Sequence, residues 1–180
     1  KWAFECFHQV FKRPPRVLFT DEGASIIAAF LALSTHETAI WHFVVHLFCI
    51  FHISKGFWGH ISPVVKDRTV FRQLTSKFWS ISKATDVASI ELFGEDWAEL
   101  VAQVRESATD DRRSEAAIEW LDALGAKATQ FAYRYTWRHL TYLIHSTVRS
   151  EAINSAVKTK VSTSGMHLVR LAQGLDSYNT

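Results

Sequence analysis

The stretch Arg16–Ile53 decides the fold; it opens as RVLFTDEGASIIAAF and closes as HLFCIFHI. Val17, Leu18 and Phe19 form a short apolar run of the kind found in a strand buried within a parallel sheet. Thr20, Asp21, Glu22 and Gly23 close that strand as a polar turn, and Ala24 to Leu33 is helix-friendly. The run His42 to Cys49 reads as a second buried strand, and a helix pattern follows from Phe51 through Trp58.

Upstream, Trp2 to Val10 carries Phe4 and Phe7, with Phe11 beyond, on one side of a helix. Lys12 to Arg16 ends that helix, because Pro14 disfavours helix at the residue before it and neither proline has an N–H donor. Downstream, Val64 to Leu140 spaces its apolar residues by three and four. Phe71, Leu74 and Phe78 are one set; Trp97, Leu100, Val101 and Val104 another; Ile118, Leu121 and Leu124 a third. Four to six helices and no strands are expected there, with Ser107 to Ser114 as the exposed loop. Trp79, Trp97, Trp120 and Trp137 fall at apolar positions of these helices and are read as core. After Ser146 another helix begins. Its apolar face is Ala152, Ile153, Ala156, Val157 and Val161, and a last helix carries Leu168, Leu171 and Leu175. The fold class is therefore α/β and helix-rich.

Bulk properties narrow the field. The 180 residues suffice for one ordinary domain, and an apolar fraction of 48% argues against disorder. Two cysteines, Cys6 and Cys49, are too few for a disulfide framework and point to a reducing compartment. No signal peptide opens the chain, and the most apolar stretch, Ala39 to Ile53, is too short to span a bilayer and holds three histidines. A soluble protein with no membrane partner is expected. The net charge of +2 hides an asymmetry: Asp86 to Asp122 holds 11 acidic and 3 basic residues, while the remainder has a net charge of +10. That balance is compatible with a polyanionic partner, although for the acidic segment taken alone a solvated helix face is the simpler explanation.

Two carboxylates stand where chemistry could occur. Asp21 lies just beyond a strand, where ligands gather in open α/β sheets, and could hold Mg²⁺; the pattern alone favours a cap on the next helix, where Asp is common. Glu151 lies in the first turn of its helix, where an acid favours the dipole. It also shares a stripe with Asn154 and Lys158 beside Arg149, a setting suited to metal and phosphate together. Cys49 and His52 form a Cys-x-x-His unit. As zinc ligands they would need partners such as His42, His46 or His60; otherwise Cys49 is a buried small hydrophobe and His52 a hydrogen-bonded histidine. No Gly-rich phosphate loop and no Gly-x-Ser-x-Gly turn is present, which removes the common nucleotide-binding and serine-hydrolase classes.

In order, these signals resemble the transposase domain of Mutator-like elements (MULE). That family shows an apolar strand ending in Thr-Asp, a helix, and a strand running into Cys-x-x-His, matched here by Thr20-Asp21 and by His46 to Ile53 with Lys55 after it. Its closing Ser-Glu-x-x-Asn-x-x-x-Lys motif is matched by Ser150, Glu151, Asn154 and Lys158. Between them, Trp120-Leu121 and the aromatic stretch Tyr133 to Trp137 fit the family's helical insertion.

The resemblance implies a ribonuclease H-like core in residues 1–63, an all-helical insertion in 64–145, and C-terminal core helices in 146–180. It implies that Asp21 and Glu151 are the second and third acids of an Asp-Asp-Glu triad holding two Mg²⁺ or Mn²⁺ ions, and that the reaction is cleavage and transfer of DNA strands. Cys49 and His52 would support the site, while Arg149, Asn154 and Lys158 would contact DNA phosphates. Transposon ends and target DNA are the implied partners, with self-association and a nuclear location. The family's first aspartate would precede Trp2, so the chain is expected to be a fragment with an incomplete site. The alternative is a non-catalytic DNA-binding or transcription-regulating descendant of the far-red-impaired response type.

Overall fold

The computed structural model describes residues 15–35, 40–84, 92–109 and 111–139. Two compact units divide the chain, Lys1–Ser146 and Thr147–Thr180, and every described residue belongs to the first. The expected opening helix at Trp2 to Val10 and the helices after Ser146 lie outside the described residues.

The order of elements begins β1 (Val17–Thr20), α1 (Ala24–Ser34), a short 3-10 helix (Ile40–Phe43) and β2 (Val45–Phe48). It continues with α2 (Ile50–Ile61), α3 (Arg68–Lys83), α4 (Leu92–Ser107) and α5 (Asp111–Gly125). A second 3-10 turn (Ala128–Gln130) and the one-turn α6 (Tyr133–Thr136) complete it. The described part is helix-rich with one small parallel sheet.

β1 and β2 pair in parallel, with Val17 opposite Val45 and Thr20 opposite Phe48. Parallel neighbours need a crossover rather than a tight turn, and α1 supplies it. The ladder runs one residue beyond each end: Val45 N donates to Arg16 O at 2.9 Å, and Cys49 N donates to Thr20 O at 2.7 Å. The second strand is shorter than the expected His42 to Cys49 run. Its first residues wind instead into the 3-10 helix, closed by Val44 N donating to Trp41 O at 3.1 Å. Winding lets Trp41 and Val44 both bury against Phe30 of α1, with Leu18 and Leu33 beside them. An extended chain would alternate Trp41 and Val44 onto opposite faces. Phe30 is the one buried residue of α1, and Leu31 is 54% exposed on an otherwise apolar helix.

The main core lies under α2. Ile50, Ile53, Phe57 and Ile61 recur at helical spacing and are all buried, each worth about 1.5–3 kcal/mol in removed apolar surface. Phe57 stacks on Phe78 of α3 with centroids 4.6 Å apart, and Phe78 meets Trp97 of α4 edge-on at 6.2 Å. Leu121 and Leu124 of α5 close the same cluster, so the strand–helix segment and the downstream helices share one core. Asp67 caps α3 by accepting from Thr69 N at 2.7 Å and Val70 N at 3.2 Å.

The expected loop at Ser107 to Ser114 is much shorter. α4 runs to Ser107 and α5 starts at Asp111. Thr109 is tied across to Val64, its N–H and its hydroxyl both donating to that carbonyl at 3.1 and 3.2 Å. Of the four tryptophans read as core, Trp97 is buried and Trp79 and Trp120 are half-buried, while Trp137 is 46% exposed. Among the described residues, no helix is long and apolar enough to cross a membrane.

Candidate functional site

The carboxyl ends of β1 and β2 bring two of the sequence-derived site residues together. Asp21 is the first residue beyond β1 and Cys49 the first beyond β2, joined through the Cys49 N–H bond to Thr20 O. This is the side of a parallel sheet where backbone direction and crossover loops leave room for a ligand.

Asp21 does not cap α1 in the ordinary way. Gly23 occupies the N-cap position and contributes no side chain, leaving Asp21 two residues earlier. The Gly23 N–H donates to Asp21 Oδ1 at 3.3 Å, which holds the carboxylate across the turn. Among the described residues that N–H is the only group hydrogen-bonded to this carboxylate. Asp21 is half-buried, so its second oxygen is available at the strand end. A Cβ at Gly23 would sit 3.2 Å from Asp21 Oδ1, so the glycine also leaves the carboxylate its place.

Cys49 is fully buried and occupies the N-cap of α2 without a side-chain capping bond. Its carbonyl accepts from His52 N at 3.0 Å and Ile53 N at 3.1 Å, so the Cys-x-x-His spacing is the first turn of this helix. His52 is half-buried, edge-on to Phe51 with centroids 5.9 Å apart. His60 lies further along the same helix, stacked on Trp120 at 4.6 Å and 13°. Among the described residues, no group of three or more His, Cys, Asp or Glu side chains is placed to hold a metal ion.

A polar relay runs behind the aspartate. His46 Nε2 lies 2.7 Å from Thr20 Oγ1, and that hydroxyl donates to Asp21 O at 2.7 Å. A hydroxyl has one proton; since Thr20 gives it to the carbonyl, the proton between the two side chains sits on His46 Nε2. The ring is packed between Phe30 at 4.5 Å and Phe48 at 5.2 Å. Burial pushes its pKa below the ordinary histidine value, which favours the neutral ring. The relay fixes the backbone on which Asp21 is mounted.

The helical part also reaches this edge. Lys127, just after α5, places Nζ 5.8 Å from the centroid of the Phe48 ring. Glu22 Oε1 lies against α2, 3.5 Å from where a Cβ on Gly56 would stand. Glu22 and Lys127 were not singled out as site residues from the sequence, whereas Thr20 stood in the Thr-Asp motif and His46 among the possible partners of Cys49 and His52. Thr20 and His46 meet through the observed register, which puts them on one face of the strand pair, two positions apart. Glu151, Arg149, Asn154 and Lys158 lie outside the described residues.

No family model, no curated protein and no solved structure matches the chain.

Asp21 fits a hard divalent cation as one ligand: it is a half-buried carboxylate at a strand end with an oxygen to spare. Mg²⁺ needs only one or two protein carboxylates and keeps several waters.

Proposed function

We propose that the chain is part of the catalytic domain of a Mutator-like DNA transposase of the DDE type, with a ribonuclease H-like core. The observation that carries this reading is the placement of Asp21 and Cys49 side by side beyond paired parallel strands, with Cys-x-x-His opening the next helix. A parallel pair is seldom a whole sheet, which agrees with a larger core around it.

In this reading Asp21 and Glu151 are metal-holding acids. Bound Mg²⁺ or Mn²⁺ would supply activation of a water or 3′-hydroxyl and stabilisation of the leaving oxygen of a phosphodiester. Asp21 is oriented by Gly23 N–H, and its backbone is held by the Thr20–His46 relay. Cys49 and His52 support the strand end, and Arg149, Asn154 and Lys158 hold DNA phosphates. DNA ends and target are the partners, the protein self-associates, and it works in the nucleus.

Calorimetry with Mn²⁺ tests this on the chain and on Asp21→Ala and Glu151→Ala. Binding that both substitutions weaken is expected. Binding indifferent to both, or none in the intact chain, overturns the assignment of these two acids.

The second reading is a non-catalytic DNA-binding or transcription-regulating descendant. Among the described residues no group of three or more His, Cys, Asp or Glu side chains could hold a metal around the unengaged oxygen of Asp21, and that is compatible with either lineage. Metal-independent DNA binding without strand cleavage would favour it.

A further inference from the structure

One flank of α2, beside its buried side, carries Phe51, Lys55 and Trp58 in one stripe, spaced by four and three residues. Lys55 Nζ lies over the Phe51 ring, 4.4 Å from its centroid. Trp58 is 54% exposed, a large apolar side chain left at the surface by a helix that buries five other residues. It meets Phe71 of α3 edge-on at 5.1 Å and 86°, which fixes the plane of the indole.

Beside that ring opens a cleft of about 540 Å³ between the end of α2 and the first turns of α3. Its size is within the ~300–1,000 Å³ range of small-molecule sites. Trp58, Phe71 and Val65 form its apolar side, and Lys66, Arg68 and Arg72 its charged side. All three cations are exposed. Among the described residues, no carboxylate lies in ion-pair range of any of them. The nearest acid in sequence, Asp67, spends Oδ1 on the N–H groups of Thr69 and Val70. From Lys55 to Lys83 the chain holds six Lys or Arg and this single acid, whereas Asp86 to Asp122 is strongly acidic.

We infer that this cleft is a binding platform for single-stranded nucleic acid, stacking a base on Trp58 and holding the flanking phosphates with Lys66, Arg68 and Arg72. An exposed, immobilised indole bordered by unpaired cations meets both needs of an unpaired strand: a π-face for the base and positive charge for the backbone. A duplex hides its base faces and would use only the cations. The platform goes beyond the transposase reading and does not require Asp21 or a metal.

The test is fluorescence anisotropy of the whole chain with a labelled oligodeoxyuridylate, an oligouridylate and a DNA duplex, repeated across a salt series. The single strands should bind more tightly than the duplex, and oligodeoxyuridylate against oligouridylate, which differ in the sugar alone, tells whether the strand is DNA or RNA. Trp58→Ala should weaken binding by about tenfold or more, and Trp58→Phe should recover part of the loss. Arg68→Gln and Arg72→Gln should each flatten the log–log salt slope by about 0.7. Trp58 is exposed, and circular dichroism of each variant checks that the helices are retained. Overturning results are no binding of the single strands, single-strand binding unchanged by Trp58→Ala, or duplex binding weakened by Trp58→Ala as much as single-strand binding. Asp21→Ala should leave this affinity intact, so failure here and failure of the metal assignment are separable.

Discussion

The indole of Trp97 occupies the space a side chain at Gly125 would need: a Cβ there would stand 2.5 Å from Trp97 Nε1 and 2.8 Å from Cδ1. The same nitrogen donates to Leu121 O at 3.2 Å, so the ring of Trp97 ties α4 to α5.

Gly125→Ala is therefore expected to destabilise the protein. In an open helix the change would gain up to about 1 kcal/mol. Here the indole must move and its hydrogen bond lengthen, for a net loss of about 1–3 kcal/mol. Urea denaturation measures it, and a midpoint at or above that of the parent refutes the close packing. Gly56→Ala carries a related but milder expectation, since its Cβ would stand 2.9 Å from Trp120 Cζ2.

Arg134 is buried at 4% exposure and donates from Nη2 to Asp96 Oδ2 at 2.8 Å, tying α6 to α4. Asp96→Ala should cost about 1.5–3 kcal/mol, because it removes the acceptor of a charged hydrogen bond. Arg134→Met should cost less, since it removes the buried charge itself and the Asp96 side chain, 40% exposed, remains open to water. Equal losses in chemical denaturation would show that packing, not charge, sets the effect.

His46 predicts a pH dependence. Its pKa is lowered by burial from 6.5, so the unfolded chain takes up the proton first as pH falls. Stability from this group is complete above the unfolded value and is lost as pH falls below about 6.5 toward the folded value. His46→Gln keeps a donor near Thr20 and cannot titrate. The fall in urea midpoint between pH 7.5 and 5.5 should be smaller in that variant; an identical fall excludes His46 as the source. Nitrogen chemical shifts should also show the proton on Nε2.

Asp67→Ala should cost about 1 kcal/mol through loss of the α3 cap. It should at the same time tighten oligonucleotide binding, since it removes the only acid adjoining Lys66 and Arg68. Thermal melting and anisotropy read the two effects separately. Weaker binding in a variant that still folds would place the cap, rather than the charge, in control of the cleft.

Much of the architecture was legible because its signals are local. Val17 to Phe19 as a strand follows from a short apolar run closed by a polar turn, α1 from the helix-friendly residues after it, and the buried spacing of Leu74 with Phe78 and of Leu121 with Leu124 from side-chain periodicity. The 3-10 turn at Ile40–Phe43 was not, because a short apolar run is compatible with either conformation and distant Phe30 decides it. The short α4–α5 connection was missed for the same kind of reason. SATDDRRS looks like a loop, but helix entry at Asp111 and the Thr109 tie to Val64 shorten it. In the site, Asp21 and Cys49 were legible from their places after apolar runs. The His46–Thr20 contact depends on register, and Lys127 arrives from a segment 79 residues after Phe48 in the sequence. Neither is a property of a window of sequence.

α2 starts at the strand ends and finishes at the Trp58 cleft, nine residues or roughly 13 Å along one helix. The phase between those two places is therefore set by helical rotation more than by distance. One residue inserted between Cys49 and Trp58 would lengthen the span by only about 1.5 Å, yet would swing the indole through about 100°. Along this segment, changes of side chain should be tolerated on the solvent face, and changes of length should not.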